Sequence, residues 1–139
     1  MKIYIIDTGS ANLNSVVQAF KRLGYEAVIS SDTDKMKDAD RLVLPGVGTA
    51  CAVMDGIEKF KLYDFILNTK KPLLGICLGM QIQATDSSEV PLNVAGEVIK
   101  CLDIVPSHVV KIPDTGLRLP HMGWNTVHHT DHPLFDGIK

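Results

Sequence analysis

Short apolar runs alternate with segments of helical spacing up to residue 84, and this alternation constrains the fold more than any other feature of the chain. The apolar runs predict a buried strand at 2–6 and further strands at 26–30, 42–44 (before the turn 45–48) and 72–76. Apolar residues three or four apart predict helices at 13–23, 50–57, 62–66 and 78–84, with one helical turn in the polar loop 32–40. Strands without polar alternation are buried on both faces. The pattern therefore predicts an α/β fold, with an open, mostly parallel sheet and helices on both of its faces.

The second half of the chain has a different rhythm. Segments 94–99, 109–112 and 125–128 read as short strands separated by Pro and Gly, with no strong helix between them. A length of 139 residues with 45% hydrophobic content suits one compact core. We therefore expect a single domain over 1–139, with a more β-rich second half.

Charge and cysteine content exclude several classes of protein. A net charge of -2 and a pI near 6.2 give no general attraction for nucleic acid or an anionic membrane. No apolar run is long enough for a signal peptide or a membrane span. Three widely spaced cysteines do not suggest a disulfide framework. The sequence predicts a cytoplasmic protein with reduced thiols.

Cys77 lies in a G-x-C-x-G pattern between a predicted strand and a predicted helix. This is the nucleophile-elbow arrangement with sulfur in place of a hydroxyl group. Glycines allow the strained turn, and the N-terminus of the helix favours the thiolate. The backbone N–H of Leu78 would be one oxyanion donor. A lone cysteine is more often a small buried apolar residue. We give that interpretation to Cys51, which is assigned to helix packing, and to Cys101, which is assigned to a strand. At Cys77 the flanking glycines favour a nucleophile.

Four segments carry a resemblance to a known family. PLLGICLGMQ from Pro72 resembles the nucleophile signature of class I, triad-type glutamine amidotransferases. With DTGSANLNSV from Asp7, LPGVGTA from Leu44 and PHMGWNTV from Pro120, the chain resembles the glutaminase subunits of imidazole glycerol phosphate synthase. The resemblance implies a flavodoxin-like sheet and hydrolysis of glutamine to glutamate and ammonia through a Cys77 thioester, without a cofactor. The ammonia would pass to a barrel-shaped synthase (cyclase) subunit, the heterodimer partner, which makes imidazole glycerol phosphate and an aminoimidazole carboxamide ribotide in histidine biosynthesis.

The same resemblance assigns roles at the glutamine site. Gly46, Val47 and Gly48 correspond to the oxyanion strand, with a backbone N–H near Gly46 or Val47 as the second donor. Taken alone, these residues could equally be a strand-ending turn. Gln81 corresponds to a position that contacts bound glutamine in the family, although a solvated helix residue would fit the pattern too.

The resemblance also assigns a partner interface. It places Asn12, Gly123 and Trp124 against the synthase subunit. A phosphate loop at 7–14 would be the alternative for Asn12, but its spacing fits neither common fingerprint. The single Trp could equally belong to the core, because an aromatic side chain serves either purpose.

The triad is incomplete in these residues. The family supplies its base and acid from a His-x-Glu segment near the carboxyl end, and no His-x-Glu occurs here. We therefore expect the domain to be incomplete at its C-terminus and this chain to be inactive alone. None of the five histidines matches the base, and His121 is expected to be structural or interfacial. His128, His129 and His132 lack the further ligands of a zinc site, so we expect surface histidines and no metal.

Two rival functions remain at this level. One is a different triad-type amidotransferase, such as the glutaminase of pyridoxal phosphate synthase, against which the PHMGWN segment argues. The other is a non-catalytic interaction module, which the absent His-x-Glu favours. The chain also departs from the family at Gln83 and Thr85, where family helices are more apolar, and 86–97 has little of the usual glycine. A shifted loop is the expected consequence.

Overall fold

A four-stranded parallel sheet forms the centre of the molecule. The computed structural model describes residues 1–9, 12–90, 98–114 and 116–138. Its strands are β1 Ile3–Ile6, β2 Ala27–Ser30, β3 Arg41–Gly46 and β4 Leu73–Cys77. They lie in the order β2-β1-β3-β4, and all three neighbouring pairs are parallel. The predicted parallel α/β sheet is confirmed.

Helices pack on both faces of this sheet, as predicted. They are α1 Leu13–Arg22, α2 Thr33–Met36, α3 Ala50–Lys59, α4 Tyr63–Asn68 and α5 Leu78–Gln81. Ile3, Ile5 and Val43 pack against the apolar face of α1. The alternate strand residues, such as Leu42 and Leu44, point to the opposite face and join the larger core with α3, α4 and α5. Over the described ranges, no helix has the length and apolar character needed to cross a membrane.

Strand β3 is longer than predicted, because it continues through Pro45 to Gly46. The N–H of Leu42 points towards β4, where it donates to Pro72 O. The nitrogen of Pro45, three positions later, therefore faces the β1 side. Since β1 pairs with β3 only as far as Ile5 and Val43, a residue without an N–H breaks no ladder bond there.

The helix after Cys77 is shorter than predicted, because α5 ends at Gln81 and not at residue 84. The backbone carbonyl groups of residues 82 and 84, which would continue the helix, accept hydrogen bonds from a distant segment instead. Leu102 N–H donates to Ile82 O and Asp103 N–H to Ala84 O, both within 2.9 Å. Hydrogen bonding to a distant segment thus replaces the next helical turn.

The second half forms a small three-stranded sheet from β5 Asp86–Ser87, β6 Ile99–Lys100 and β7 His108–Val109. The strands lie in the order β6-β5-β7. The strand predicted at 94–99 falls partly on 91–97, outside the described residues, and the one predicted at 109–112 is limited to its first residue. The strand predicted at 125–128 is wrong: that segment has no regular structure, and Val127 is exposed. A short 3-10 helix, Pro133–Phe135, follows it.

Candidate active site

Cys77 is the last residue of β4 and the N-cap of α5. Its backbone has φ 53° and ψ −118°, a region that non-glycine residues rarely adopt. Strain of this kind costs on the order of 1–3 kcal/mol and persists where the surroundings enforce it. The side chain is exposed at the carboxyl edge of the sheet, where parallel α/β proteins place their reactive groups. The elbow conformation expected from the G-x-C-x-G pattern is therefore present.

Both glycines of the elbow are required by close backbone contacts. A Cβ on Gly79 would overlap the carbonyl oxygen of Leu44 in β3. A Cβ on Gly75 would lie 2.6 Å from Met80 Cα and 2.8 Å from Gly79 O. The start of α5 thus packs backbone to backbone on β3 and β4, and this packing holds Cys77 in its turn.

The predicted oxyanion residues lie beside Cys77. In the β3–β4 register, Gly46 is the direct partner of Cys77. A Cβ on Gly46 would lie 2.9 Å from Gly79 N, so the end of β3 touches the first turn of α5. Leu78 opens α5 with a buried side chain, while Val47 and Gly48 continue past the strand and are exposed. The structure brings Gly46, Cys77 and Leu78 together; their roles stay predictions.

Gln81 ends α5 and lines a cavity of about 410 Å³. The remaining lining comes from the small sheet and its neighbours: Ser88, Glu89, Val90, Val109, Val110 and Lys111. Sequence reasoning missed this wall, because no motif marks these residues. The parallel pairing of β5 with β7 brings these residues together. It joins segments more than 20 residues apart, so no local sequence pattern predicts it.

The predicted interface residues come from two separate segments of the chain. Asn12 is the N-cap of α1, and its side chain makes no capping hydrogen bond. Gly123 and Trp124 lie in the irregular segment before the 3-10 helix, and Trp124 is 103% exposed. Trp124 therefore takes no part in the core that the described residues form.

The other two cysteines are in unreactive settings. The charge of Asp55, followed by desolvation, raises the pKa of the Cys51 thiol, which donates to Asp55 Oδ2 over 3.7 Å. Burial, followed by the charge of Asp86, raises the pKa of Cys101. Cys51 belongs to α3 as expected, whereas Cys101 follows β6 and is not in a strand. Neither thiol favours the nucleophilic thiolate form.

All five histidines are exposed, as expected for the cluster 128–132. His108 Nδ1 lies 2.9 Å from Asp86 Oδ1, and the His129 ring stacks on Phe135. Within the described ranges no histidine is hydrogen-bonded to Cys77, and no three His, Cys, Asp or Glu side chains are grouped to hold a metal.

Comparison with known proteins agrees with this geometry. Residues 4–139 match the family model of class I glutamine amidotransferases, and the chain belongs to that family. A crystal structure of a glutamine amidotransferase superposes with a TM-score of 0.62 at 18% identity, over 77% of this chain and 55% of that one, which supports the fold.

Three curated relatives carry the same name. The imidazole glycerol phosphate synthase subunit HisH of Photorhabdus laumondii is 49% identical over 140 residues, covering 100% of this chain and 69% of its own length. Those of Shewanella loihica and Haemophilus influenzae are 44% and 50% identical, over 96% and 99% of this chain. The chain spans 61% and 66% of these two relatives.

Proposed function

We propose that this chain is the nucleophile-bearing part of a glutaminase subunit of imidazole glycerol phosphate synthase. The observation that carries the proposal is Cys77 at positive φ on a strand–helix turn, in register with Gly46 at the end of β3. The names of the relatives support it, because each is a subunit of that synthase. The protein acts in the cytoplasm, needs no cofactor and delivers ammonia to the synthase subunit for histidine biosynthesis.

The reaction begins at the Cys77 thiolate. Sγ attacks the side-chain amide carbon of glutamine, and a C–S bond forms as the carbonyl oxygen takes the negative charge. The N–H of Leu78 and an N–H near Gly46 or Val47 hold this oxyanion; such donors contribute up to about 3–4 kcal/mol each. The C–N bond then breaks, a general acid protonates the leaving nitrogen, and ammonia departs. Water cleaves the thioester to release glutamate and restore the thiol.

The cavity beside Gln81 supplies room for the substrate. Gln81 lies one turn after Cys77 and borders a space of about 410 Å³, within the usual size of a small-molecule pocket. In this proposal Gln81 contacts the polar backbone end of glutamine in this cavity, whose lining does not include Cys77 itself. None of the five histidines is assigned as the base of the triad, because none within the described residues is hydrogen-bonded to Cys77.

Covalent labelling tests the proposal on this chain directly. The diazoketone 6-diazo-5-oxo-L-norleucine resembles glutamine and alkylates a nucleophile held at the amide position. We expect one adduct, on the peptide that contains Cys77, with protection by excess glutamine. Labelling of Cys51 or Cys101 in preference to Cys77, or no protection by glutamine, would contradict the proposed glutamine site.

A non-catalytic interaction module is the second candidate, since no His-x-Glu lies within these 139 residues. The two candidates differ in their behaviour towards glutamine. A glutaminase subunit gives glutamine-protected labelling at Cys77, and the subunit in complex with the synthase releases ammonia. A module binds the synthase but shows neither property.

Trp124 tests the proposed interface with the synthase subunit. Its side chain is 103% exposed, and a large exposed aromatic residue typically becomes a central contact when a partner covers it. Trp124→Ala should weaken binding to the synthase subunit by about 2 kcal/mol, a rise of roughly 30-fold in Kd by titration calorimetry. Tyr63→Ala, at an exposed aromatic residue on α4, is the matched control and should leave Kd within about threefold. If the two substitutions changed Kd by the same factor, Trp124 would not be a specific contact of the interface.

A further inference from the structure

The polar residue Gln83 is bonded to the elbow that carries Cys77. Its Nε2 donates to the carbonyl oxygen of Gly79 at 3.0 Å, and the side chain is half-buried. In a continuing helix, Gly79 O would accept from the backbone N–H of Gln83. That N–H donates to Met80 O instead, at 3.1 Å, because α5 has already ended. The side-chain amide thus supplies the hydrogen bond that the short helix lacks.

The same amide lies against the strand that enters the elbow. A Cβ on Gly75 would overlap Gln83 Nε2, so this nitrogen occupies the space over Gly75. Gly75 is two residues before Cys77, and Gly79 is two residues after it. One side chain therefore contacts the backbone on both sides of the nucleophile.

The backbone of Gln83 is held in turn by a distant segment. Its carbonyl oxygen accepts from the N–H groups of Ile104 and Val105, each at 2.9 Å. The neighbouring Thr85 Oγ1 donates to Asp103 Oδ1 at 2.6 Å. The two positions at which the chain is more polar than expected are thus both hydrogen-bonded.

We propose that Gln83 is a positioning residue for Cys77, which orients the first turn of α5 by bonding Gly79 O while packing on Gly75. The backbone N–H of Leu78, the first residue of α5, depends on that orientation to face the oxyanion. Methionine or leucine would fill the space without donating to Gly79 O, and the turn would then be free to tilt. The orientation of the Cys77 sulfur is a property of this chain whatever its substrate. Only the reaction of that sulfur with glutamine rests on the proposed function.

The test measures the reactivity of Cys77 in the full 139-residue chain, by mass spectrometry of its peptide after timed exposure to iodoacetamide. Gln83→Met keeps the length of the side chain and removes the donor. Gln83→Asn keeps an amide that is too short to reach both contacts, and it covers the case in which the methionine variant does not fold. We expect about a fivefold slower alkylation of Cys77 in either variant, a size set by the loss of one hydrogen bond. Gln18→Met, at an exposed position on α1, is the matched control and should leave the rate unchanged.

A second readout separates aiming from general loosening. With 6-diazo-5-oxo-L-norleucine, misdirected sulfur lowers the maximal inactivation rate while the half-saturating concentration stays within twofold. Folded variants that react with iodoacetamide at the wild-type rate would overturn the proposal. A change confined to the half-saturating concentration would also overturn it, because it would assign Gln83 to ligand binding. Unfolding of both variants would overturn it as well, because it would assign Gln83 to stability. If the wild-type chain ignores the diazoketone, the proposed function fails while the iodoacetamide comparison still decides the role of Gln83.

Discussion

Replacing Cys77 with alanine should abolish ammonia release from glutamine, by a factor of at least about 10⁴. The proposed reaction begins with a C–S bond, and alanine has no atom that can form it. Any rate that remains would come from attack by water on bound glutamine, with the oxyanion donors still stabilising the negative oxygen. The measurement is glutamate formation by the complete glutaminase subunit in complex with the synthase subunit.

The matched control for this prediction is Cys51→Ala. Cys51 lies in α3, and the Asp55 carboxylate raises the pKa of its thiol. This change should leave turnover within about twofold, as expected for a surface substitution. A Cys77→Ala enzyme that retained a tenth of the wild-type rate would show that the sulfur is not the nucleophile.

The second large effect is expected from Gly79→Ala. The added methyl group would overlap the carbonyl oxygen of Leu44 and come within 3.0 Å of Pro45 C, and both are backbone atoms of a central strand. Neither can move without disturbing β3, so the structure must separate α5 from the sheet. We expect a loss of about 3 kcal/mol or more in the free energy of unfolding, measured by urea denaturation.

Gly24→Ala separates this steric effect from the cost of losing a glycine. Gly24 follows α1 at φ +80°, and nothing lies within 4 Å of its added Cβ. The cost there is limited to the left-handed backbone, about 1 kcal/mol. Similar losses in the two variants would mean that the backbone contact between Gly79 and Leu44 yields easily to an added methyl group.

The strands and helices of the first half could be predicted because their signals are local. Each apolar run or helical spacing marks an element, and β1 to β4 appear where the runs lie. Burial on both faces holds only for the inner strands, because Val28 in β2 and Leu74 in β4, the two edge strands, are exposed. The errors occur where distant hydrogen bonds override the local pattern. Helix α5 stops at Gln81 because the backbone of 82–84 bonds the segment 102–105. The strand predicted at 125–128 failed because alternation alone supplies no partner strand.

The elbow itself was predictable, since G-x-C-x-G between strand and helix already demands a strained nucleophile on a tight turn. The sequence alone therefore predicted which residue occupies the elbow, Cys77, and the class of sheet that carries it. Only the tertiary structure decided which groups surround that residue. Three contacts join segments that no local pattern connects. They are Leu44 O with Gly79, the Gln83 side chain with Gly75, and Gln81 with the rest of its cavity wall. The physical reason is that periodicity encodes which face of an element is buried, whereas contacts between elements depend on how the whole chain packs.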